Sequence, residues 1–385
     1  MSPRTRPFIA VLLFLFALFA GGAVRRAQDT CGPFTDVSAL FCPYVLEAYY
    51  TGITAGTSPT TFSPDIPITR GQSAVFTTKA LNQALARGSR RGALGQWWTT
   101  QGGQTMGFTT IGGATFVAVQ ADGEDVWGLS ASGTIERVHA SDGRSLGTWT
   151  NVLGVQSRGQ LVVAMGKVFA TGFGHLYMVD PTQAPGSVTT VADTKTGSST
   201  SLTFDGSRFW MTDSGGSLFI VTPGATVPWA VQTIAMPGMG PAQAIFDGAN
   251  VWICDTPGVQ ILKMNADGSI ALHVVFDEAP TTPTFDGANL WVPYGIGSIA
   301  VVRPSDGAIV STLIGNGLST PMAAAFDGQR VMVLNGNGNT VSLWNAASLQ
   351  ELGVFSTLPG GQPTGVCSDG INFWIAFQSQ QLGRF

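Results

Sequence analysis

Asp213, Asp255, Tyr294 and Asn335 stand at one spacing along the chain, each three residues beyond positions 210, 252, 291 and 332, which hold Trp, Trp, Trp and Met. In a repeated fold such a spacing brings side chains to one ring. Oxygen donors in a ring suit two chemistries. One is coordination of a hard cation such as Ca²⁺, with Asp213 and Asp255 as the metal ligands; the other is hydrogen bonding to the hydroxyls of a sugar. The competing role is local. Asp213-Ser214-Gly215-Gly216 and Asp255-Thr256-Pro257-Gly258 are Gly-containing loops, and a short acidic side chain there caps the loop's own N–H groups.

Proton chemistry has few carriers. His139, His175 and His273 are the only histidines, and they fall in three different repeats. Only His175, at a loop-to-strand junction, is placed to meet a ligand, so it is the candidate general acid or base. No serine lies in a G-x-S-x-G setting. The four cysteines include no C-x-x-C pair, which argues against a metal or redox role. No resident cofactor is implied, Ca²⁺ apart.

The elements that must position these residues are legible in a second recurrence. Phe246-Asp247-Gly248-Ala249-Asn250-Val251-Trp252 is nearly copied by Phe285-Asp286-Gly287-Ala288-Asn289-Leu290-Trp291. Looser copies begin at Phe204 and Phe326, degenerate ones at Ala121 and Ser368. A seventh, Met165-Gly166-Lys167-Val168-Phe169, lacks the Asp and one residue. The marker positions are 127, 169, 210, 252, 291, 332 and 374, so the steps run from 39 to 42 residues. A near-constant period in the forties with strand-like content predicts a β-propeller, here of seven blades. Residues 281–316 read as one four-stranded unit with Asp-Gly turns, which suit Asp hydrogen bonding and the positive φ of Gly. The last unit stops after its third strand, and Thr105–Ile111 is a strand left over before the first. Pairing the two closes the ring and removes two open edges.

The Asp-Gly-x-x-apolar-Trp spacing and the period resemble the YVTN, NHL and related seven-bladed propellers, over about 280 residues. The resemblance implies a mainly β fold over 104–385 with ligands meeting one end of the central channel. That end is built from the loops between second and third strands and the loops entering each inner strand. The first set supplies Asp213, Asp255, Tyr294, Asn335 and Gln378; the second supplies Arg158, Lys195, Met239, Glu278, Thr281 and Gln362. The streptogramin-lyase type of propeller pairs a His with acidic residues and Mg²⁺, and no such His-bearing motif is matched here. The repeated Asp205, Asp247, Asp286, Asp327 and Asp369 belong to the opposite end and read as turn residues.

Ahead of the propeller the composition changes. Arg4 and Arg6, an apolar run from Phe8 to Ala20, and Gly21-Gly22-Ala23 read as a secretory signal over 1–23; a retained N-terminal anchor is the alternative. Export permits disulfides, and Cys31 and Cys42 are expected to pair. Cys254 and Cys367 are expected to remain buried thiols. Residues 43–50 have the spacing of a short helix, and Thr69 caps a second from Arg70 to about Ala86. Phe34-Thr35-Asp36-Val37, Gly52-Ile53-Thr54-Ala55-Gly56, Phe62-Ser63-Pro64 and Ile68-Thr69-Arg70, in that order, resemble a single S-layer homology repeat within 31–86. The resemblance implies association with cell-envelope polysaccharide through Thr69 and Arg70. Gly71-Gln72 departs from the family's usual small residue followed by Glu. The alternative for Thr69 is a helix cap alone, and for Arg70 a local ion pair. Residues 87–103, rich in Gly, Gln and Arg, read as a linker carrying Trp97-Trp98.

Composition limits the partners. Charged residues are 11% and the formal net charge is −4 in 385 residues, which leaves no nucleic-acid footprint. The reading is an exported cell-surface or extracellular binding or scaffold protein, whose partner is an envelope polysaccharide or a surface protein. After signal cleavage no membrane span is expected. The alternative is an extracellular propeller enzyme, a lyase or hydrolase, working at the channel mouth through His175.

Overall fold

The computed structural model describes residues 31, 33–38, 40–50, 53–86, 107–110, 115–140, 144–153, 159–195, 201–213, 215–358, 360–370 and 372–385. The signal segment, the linker and Arg158 lie outside them. The chain divides into two units at Ala84–Leu85, each described by itself.

In the first unit, Cys42–Tyr50 and Arg70–Ala86 are helices. Thr69 heads the second by a reciprocal cap: its Oγ1 accepts from the N–H of Gln72 at 3.2 Å, and its own N–H donates to Gln72 Oε1 at 2.8 Å. Gln72 thus completes a capping box where the sequence departs from the family's Glu. Cys31 and Cys42 form a disulfide, with Cα atoms 5.3 Å apart. They border a small core of Phe34, Val37 and Val45, against which Tyr49 and Phe62 pack. The separated motif blocks meet through Asp36. Its carboxylate accepts from the N–H of Phe62 at 2.9 Å and of Ser63 at 2.7 Å, and the Phe62 bond first among these holds its pKa below the ordinary carboxylate value. Gly56 has φ +81°, and a Cβ there would lie 2.6 Å from the Thr61 carbonyl oxygen. Only glycine fits that turn.

The second unit is seven four-stranded antiparallel sheets. Blade 1 is Phe116–Ala121, Asp125–Ser130, Ile135–His139 and Ser145–Trp149; blade 2 follows over Leu161–Asp193, blade 3 over Ser201–Ala235 and blade 4 over Pro241–Val275. Blade 5 covers Thr284–Ile314 and blade 6 Pro321–Ser356. Blade 7 takes its three inner strands from Pro363–Arg384 and its outer strand from Gly107–Thr110, which pairs antiparallel with Gln381–Arg384. The leftover strand therefore closes the ring as the sequence predicts. Thr364 Oγ1 reinforces the closure by donating to the Phe116 carbonyl at 2.8 Å. Asp213, Asp255, Tyr294 and Asn335, expected in loops, are instead the last residues of the strands Phe209–Asp213, Val251–Asp255, Leu290–Tyr294 and Arg330–Asn335.

The hydrophobic core lies between blades rather than within them. Trp291, Ile299 and Val301 face blade 6, packing with Val331, Val333 and Trp344. Their strand neighbours Leu290, Val292 and Ala300 face blade 4, packing with Trp252, Cys254 and Ile261. Period-2 alternation sends successive side chains to opposite faces, and in a ring both faces are covered. This is why the middle strands are apolar throughout. Cys254 and Cys367 are free and buried, and burial pushes both thiols well above the ordinary range.

Candidate functional site

The ring has two chemically different ends. One holds the hairpins joining first to second and third to fourth strands. There the repeated Asp does more than shape a turn. In the Phe246 repeat, Asp247 Oδ1 accepts from the N–H groups of Ala249 at 2.8 Å and Asn250 at 2.6 Å. Its Oδ2 accepts from the indole Nε1–H of Trp252 at 2.7 Å. The same indole bond joins Asp122 to Trp127, Asp205 to Trp210, Asp286 to Trp291 and Asp369 to Trp374, all at 2.7 to 2.8 Å. Blade 6, where Met332 replaces Trp, substitutes a guanidinium: Arg330 Nε donates to Asp327 Oδ2 at 2.7 Å. Blade 2 has no Asp in its turn, and an ion pair of Lys167 with Asp180 stands beside it, holding Asp180 down to about 2. Cations also stack on the Trp faces, Arg137 over Trp127 and Arg208 over Trp210 at 5.3 Å. These carboxylates are structural, as their regularity implies.

The other end, where the chain crosses from blade to blade and second strands turn into third, differs in three ways. Among the described residues of 107–385, every Lys and Arg but Lys195 lies on or near the hairpin end. Large apolar side chains are exposed at both ends but further at the crossover end, where Leu153, Phe173, Val275, Ile296, Ile314 and Leu358 are each more than half exposed, against Leu146, Met165, Val227, Ile309 and Val310 at the hairpin end. Left-handed backbone at non-glycine residues also gathers there, at Asn151, Phe173, Lys195, Val259, Asn316, Thr320, Asn339 and Gln380, against Met165 and Leu349 at the hairpin end. For Val259 and Thr320 a positive φ costs on the order of 1–3 kcal/mol, because the branched Cβ crowds its own backbone.

The sequence-predicted residues occupy this end, but most are already engaged. Asp255 is buried; Oδ1 accepts from Gly240 N–H at 2.9 Å and Oδ2 from Gln260 Nε2 at 2.7 Å. Asn335 is fully buried, accepting from Ser319 N–H at 3.1 Å and donating to Ser342 Oγ at 2.9 Å. Tyr294 is buried and stacked on Phe276 with ring centroids 5.2 Å apart. Glu278 accepts from the Ile296 N–H, Thr281 donates to the Pro293 and Pro321 carbonyls, and Gln362 donates to the Gly336 carbonyl. Asp213 remains half-buried, accepting from Gly215 N–H at 3.0 Å. The set is thus brought to one end of the ring, where it braces loops. It does not suit Ca²⁺: both Asp255 oxygens face N–H donors, which a cation would repel. Among the described residues no three His, Cys, Asp or Glu side chains cluster as metal ligands.

His175 is placed differently. It opens the third strand of blade 2, opposite Asp193 in the register. Its Nδ1 is buried with no hydrogen-bond partner and lies 3.6 Å from Asp193 Oδ1. Tyr177 is buried with its ring 5.8 Å from the imidazole, and burial, aided by the Asp193 charge, raises its pKa above the ordinary value. Asp193 and Phe173 were not singled out by sequence; register with His175 and a bulky residue at a hairpin tip were the signals available.

Comparison with known proteins agrees with this architecture. The S-layer homology domain model matches residues 33–74. No curated protein matches the chain. Among solved structures, virginiamycin B lyase from Staphylococcus aureus is similar with a TM-score of 0.62 at 15% identity, covering 73% of this chain and 98% of that one. A streptogramin B lyase gives 0.60 at 15% identity (73% and 96%), and the WD40 β-propeller domain of Doa1 gives 0.59 at 14% identity (73% and 97%). At these identities the likeness is one of fold. Among the described residues no helix is long and apolar enough to cross a membrane. The chain joins one S-layer homology domain to a seven-bladed β-propeller.

Proposed function

We propose that the protein is exported and held at the cell envelope by its S-layer homology module, with the crossover end of the propeller as its binding face. The observation that carries the first half is the match over residues 33–74, whose motif blocks are joined by the Asp36 hydrogen bonds. Arg70 is exposed at the head of its helix, directly after the cap, and is the residue assigned to contact envelope polysaccharide. Thr69 orients it through the capping box. The second half rests on the crossover end, where cations are scarce, apolar side chains are exposed and backbone strain collects, features that mark binding surfaces. Retention on isolated envelope polysaccharide tests the anchor. The full chain is expected to be retained, and Arg70→Ala to weaken retention at least tenfold without changing the melting temperature. No retention of the unaltered chain would sink the reading.

A second reading is favoured by His175. With Nδ1 turned toward Asp193 and the ring partly exposed, Nε2 is left to exchange a proton with a ligand, as a lyase or hydrolase requires. His175→Ala is expected to abolish turnover in a panel of cyclic peptide and glycan substrates at constant melting temperature. An unchanged rate in that variant removes the enzyme reading.

A further inference from the structure

The pair Asn-Gly occurs three times in the chain, as Asn316-Gly317, Asn335-Gly336 and Asn337-Gly338. All three stand around the crossover from blade 5 into blade 6. Such a pair can react with itself, because a glycine without a side chain lets its backbone nitrogen approach the Asn Cγ. A bond forms between that nitrogen and Cγ, the carboxamide C–N bond breaks, and ammonia leaves carrying the proton of the glycine N–H. The product is a five-membered succinimide. Water then opens one of its two carbonyls, giving an aspartate in the ordinary chain or one linked through its side-chain carbonyl. Water is the only co-reactant, and nothing is oxidised or reduced. The reaction needs a side chain free to swing, a glycine N–H that is not engaged, and room around the glycine.

Two of the pairs are held out of reach. Asn335 is fully buried, with Oδ1 accepting from Ser319 N–H at 3.1 Å and Nδ2 donating to Thr340 Oγ1 at 3.1 Å and Ser342 Oγ at 2.9 Å. The N–H of Gly336 donates to the Thr320 carbonyl at 2.9 Å. Asn316 is half-buried and pinned twice, its Nδ2 donating to the Leu343 carbonyl at 3.0 Å and its own carbonyl accepting from Ser342 Oγ at 2.7 Å. Gly317 is crowded, since a Cβ there would lie 2.7 Å from Val354 Cγ2. Asn337 and Gly338 differ on every count. Both are exposed, in the turn between the strands Arg330–Asn335 and Thr340–Asn345. One bond restrains the Asn337 side chain, from Nδ2 to Thr320 Oγ1 at 2.8 Å, and at an exposed site water competes for it. Gly338 has φ +100°, and a Cβ there would meet only Thr340 Oγ1 at 3.8 Å. Among the described residues its N–H has no hydrogen-bond partner.

We propose that Asn337-Gly338 is a self-modification site, at which the folded chain converts Asn337 to aspartate and its side-chain-linked isomer while Asn316 and Asn335 persist. The conversion puts a carboxylate where a neutral amide donated to Thr320. It does so at the end of the ring that carries the acids Asp193, Asp213, Asp277 and Glu278 and, among the described residues, the single cation Lys195. In the side-chain-linked product the turn between Asn335 and Thr340, which face each other in the register, gains one backbone atom. This face therefore changes its charge and its turn geometry with the age of the chain, without an enzyme.

Peptide mapping by mass spectrometry tests the site on the full chain, held folded for several days at mildly alkaline pH. Amide-to-acid conversion at Asn337 is expected to outpace that at Asn316 and Asn335 by about tenfold or more, because the buried pair reacts only when its surroundings open. The same chain in guanidinium chloride is expected to convert all three at similar rates. Equal rates in the folded chain, or Asn316 or Asn335 leading, overturns the proposal, as does an inert Asn337 in the folded chain. Hydroxylamine, which cleaves the chain at a succinimide, supplies the second arm. Aged folded protein is expected to release the fragment 338–385, and Asn337→Gln to abolish that cleavage with the unfolding transition unchanged. Cleavage after Asn316 or Asn335 instead would show that the fold does not select the exposed pair, and the proposal fails.

Discussion

Asp247→Ala is expected to lower the free energy of unfolding by about 4 kcal/mol, read as a shift in the urea midpoint at constant slope. The carboxylate is buried and accepts three N–H groups, two from the turn and one from the Trp252 indole. Truncation strands the buried indole N–H, which costs about 1–3 kcal/mol, and also removes the acceptor of two turn N–H groups, of half-buried Asn250 and of exposed Ala249, which water serves less well. Two companions separate the contributions. Trp252→Phe removes the indole donor together with part of a buried ring, so its cost sets an upper bound on the indole bond. Asp247→Asn should fall between, since its amide group must turn an NH₂ toward either the indole or the turn. A loss below about 1 kcal/mol for Asp247→Ala would mean that the hairpin holds without its clip.

Arg330→Met is expected to cost about 3 kcal/mol at pH 7, and the cost should shrink in acid. In blade 6 the guanidinium stands where five of the other blades place an indole, with Asp327 itself buried. Burial is the larger influence on Asp327 and raises its pKa above the ordinary value in spite of the Arg330 charge. Removing Arg330 raises it further. A carboxyl whose folded pKa is raised favours the fold below its unfolded pKa and loses that contribution as pH rises through the folded value. The variant should therefore approach the parent as pH falls from 7 toward 4, in paired thermal melts. Asp327→Asn with Arg330→Met should recover most of the loss at pH 7, because no uncompensated charge then remains. A penalty independent of pH would assign the Arg330 contribution to its packing over Phe373 instead.

The sequence carried the architecture well because the architecture is periodic. The Phe-Asp-Gly repeat counted the blades, and a strand too many at one end with a strand too few at the other located the closure. Thr69 gave the start of the second helix through its cap chemistry. The Asp–Trp bond was not legible, since a contact between i and i+5 across a hairpin follows neither the strand nor the helix period. The site was legible only as a place. Spacing brought Asp255, Tyr294 and Asn335 to the crossover end, yet their partners Gly240, Phe276 and Ser319 come from connecting loops, at separations no local pattern encodes. Burial there depends on how those loops fold back over the strand ends. Phe173 and Asp193 escaped notice for the same reason, being ordinary residues made unusual by a left-handed turn and by strand register.

The strand that closes the ring is also where the chain arrives from the module. Gly107 lies beside Arg384, and the four residues to Thr110 are held by antiparallel pairing with Gln381–Arg384. Tension on a tethered propeller enters through Gly107 and runs along that strand. A pull along the strand axis loads its ladder bonds together, in shear, whereas a pull across the axis opens them one at a time. The same four residues that remove two edges from the ring thus act as a clasp, whose loss would open blade 7 while leaving the other six sheets intact.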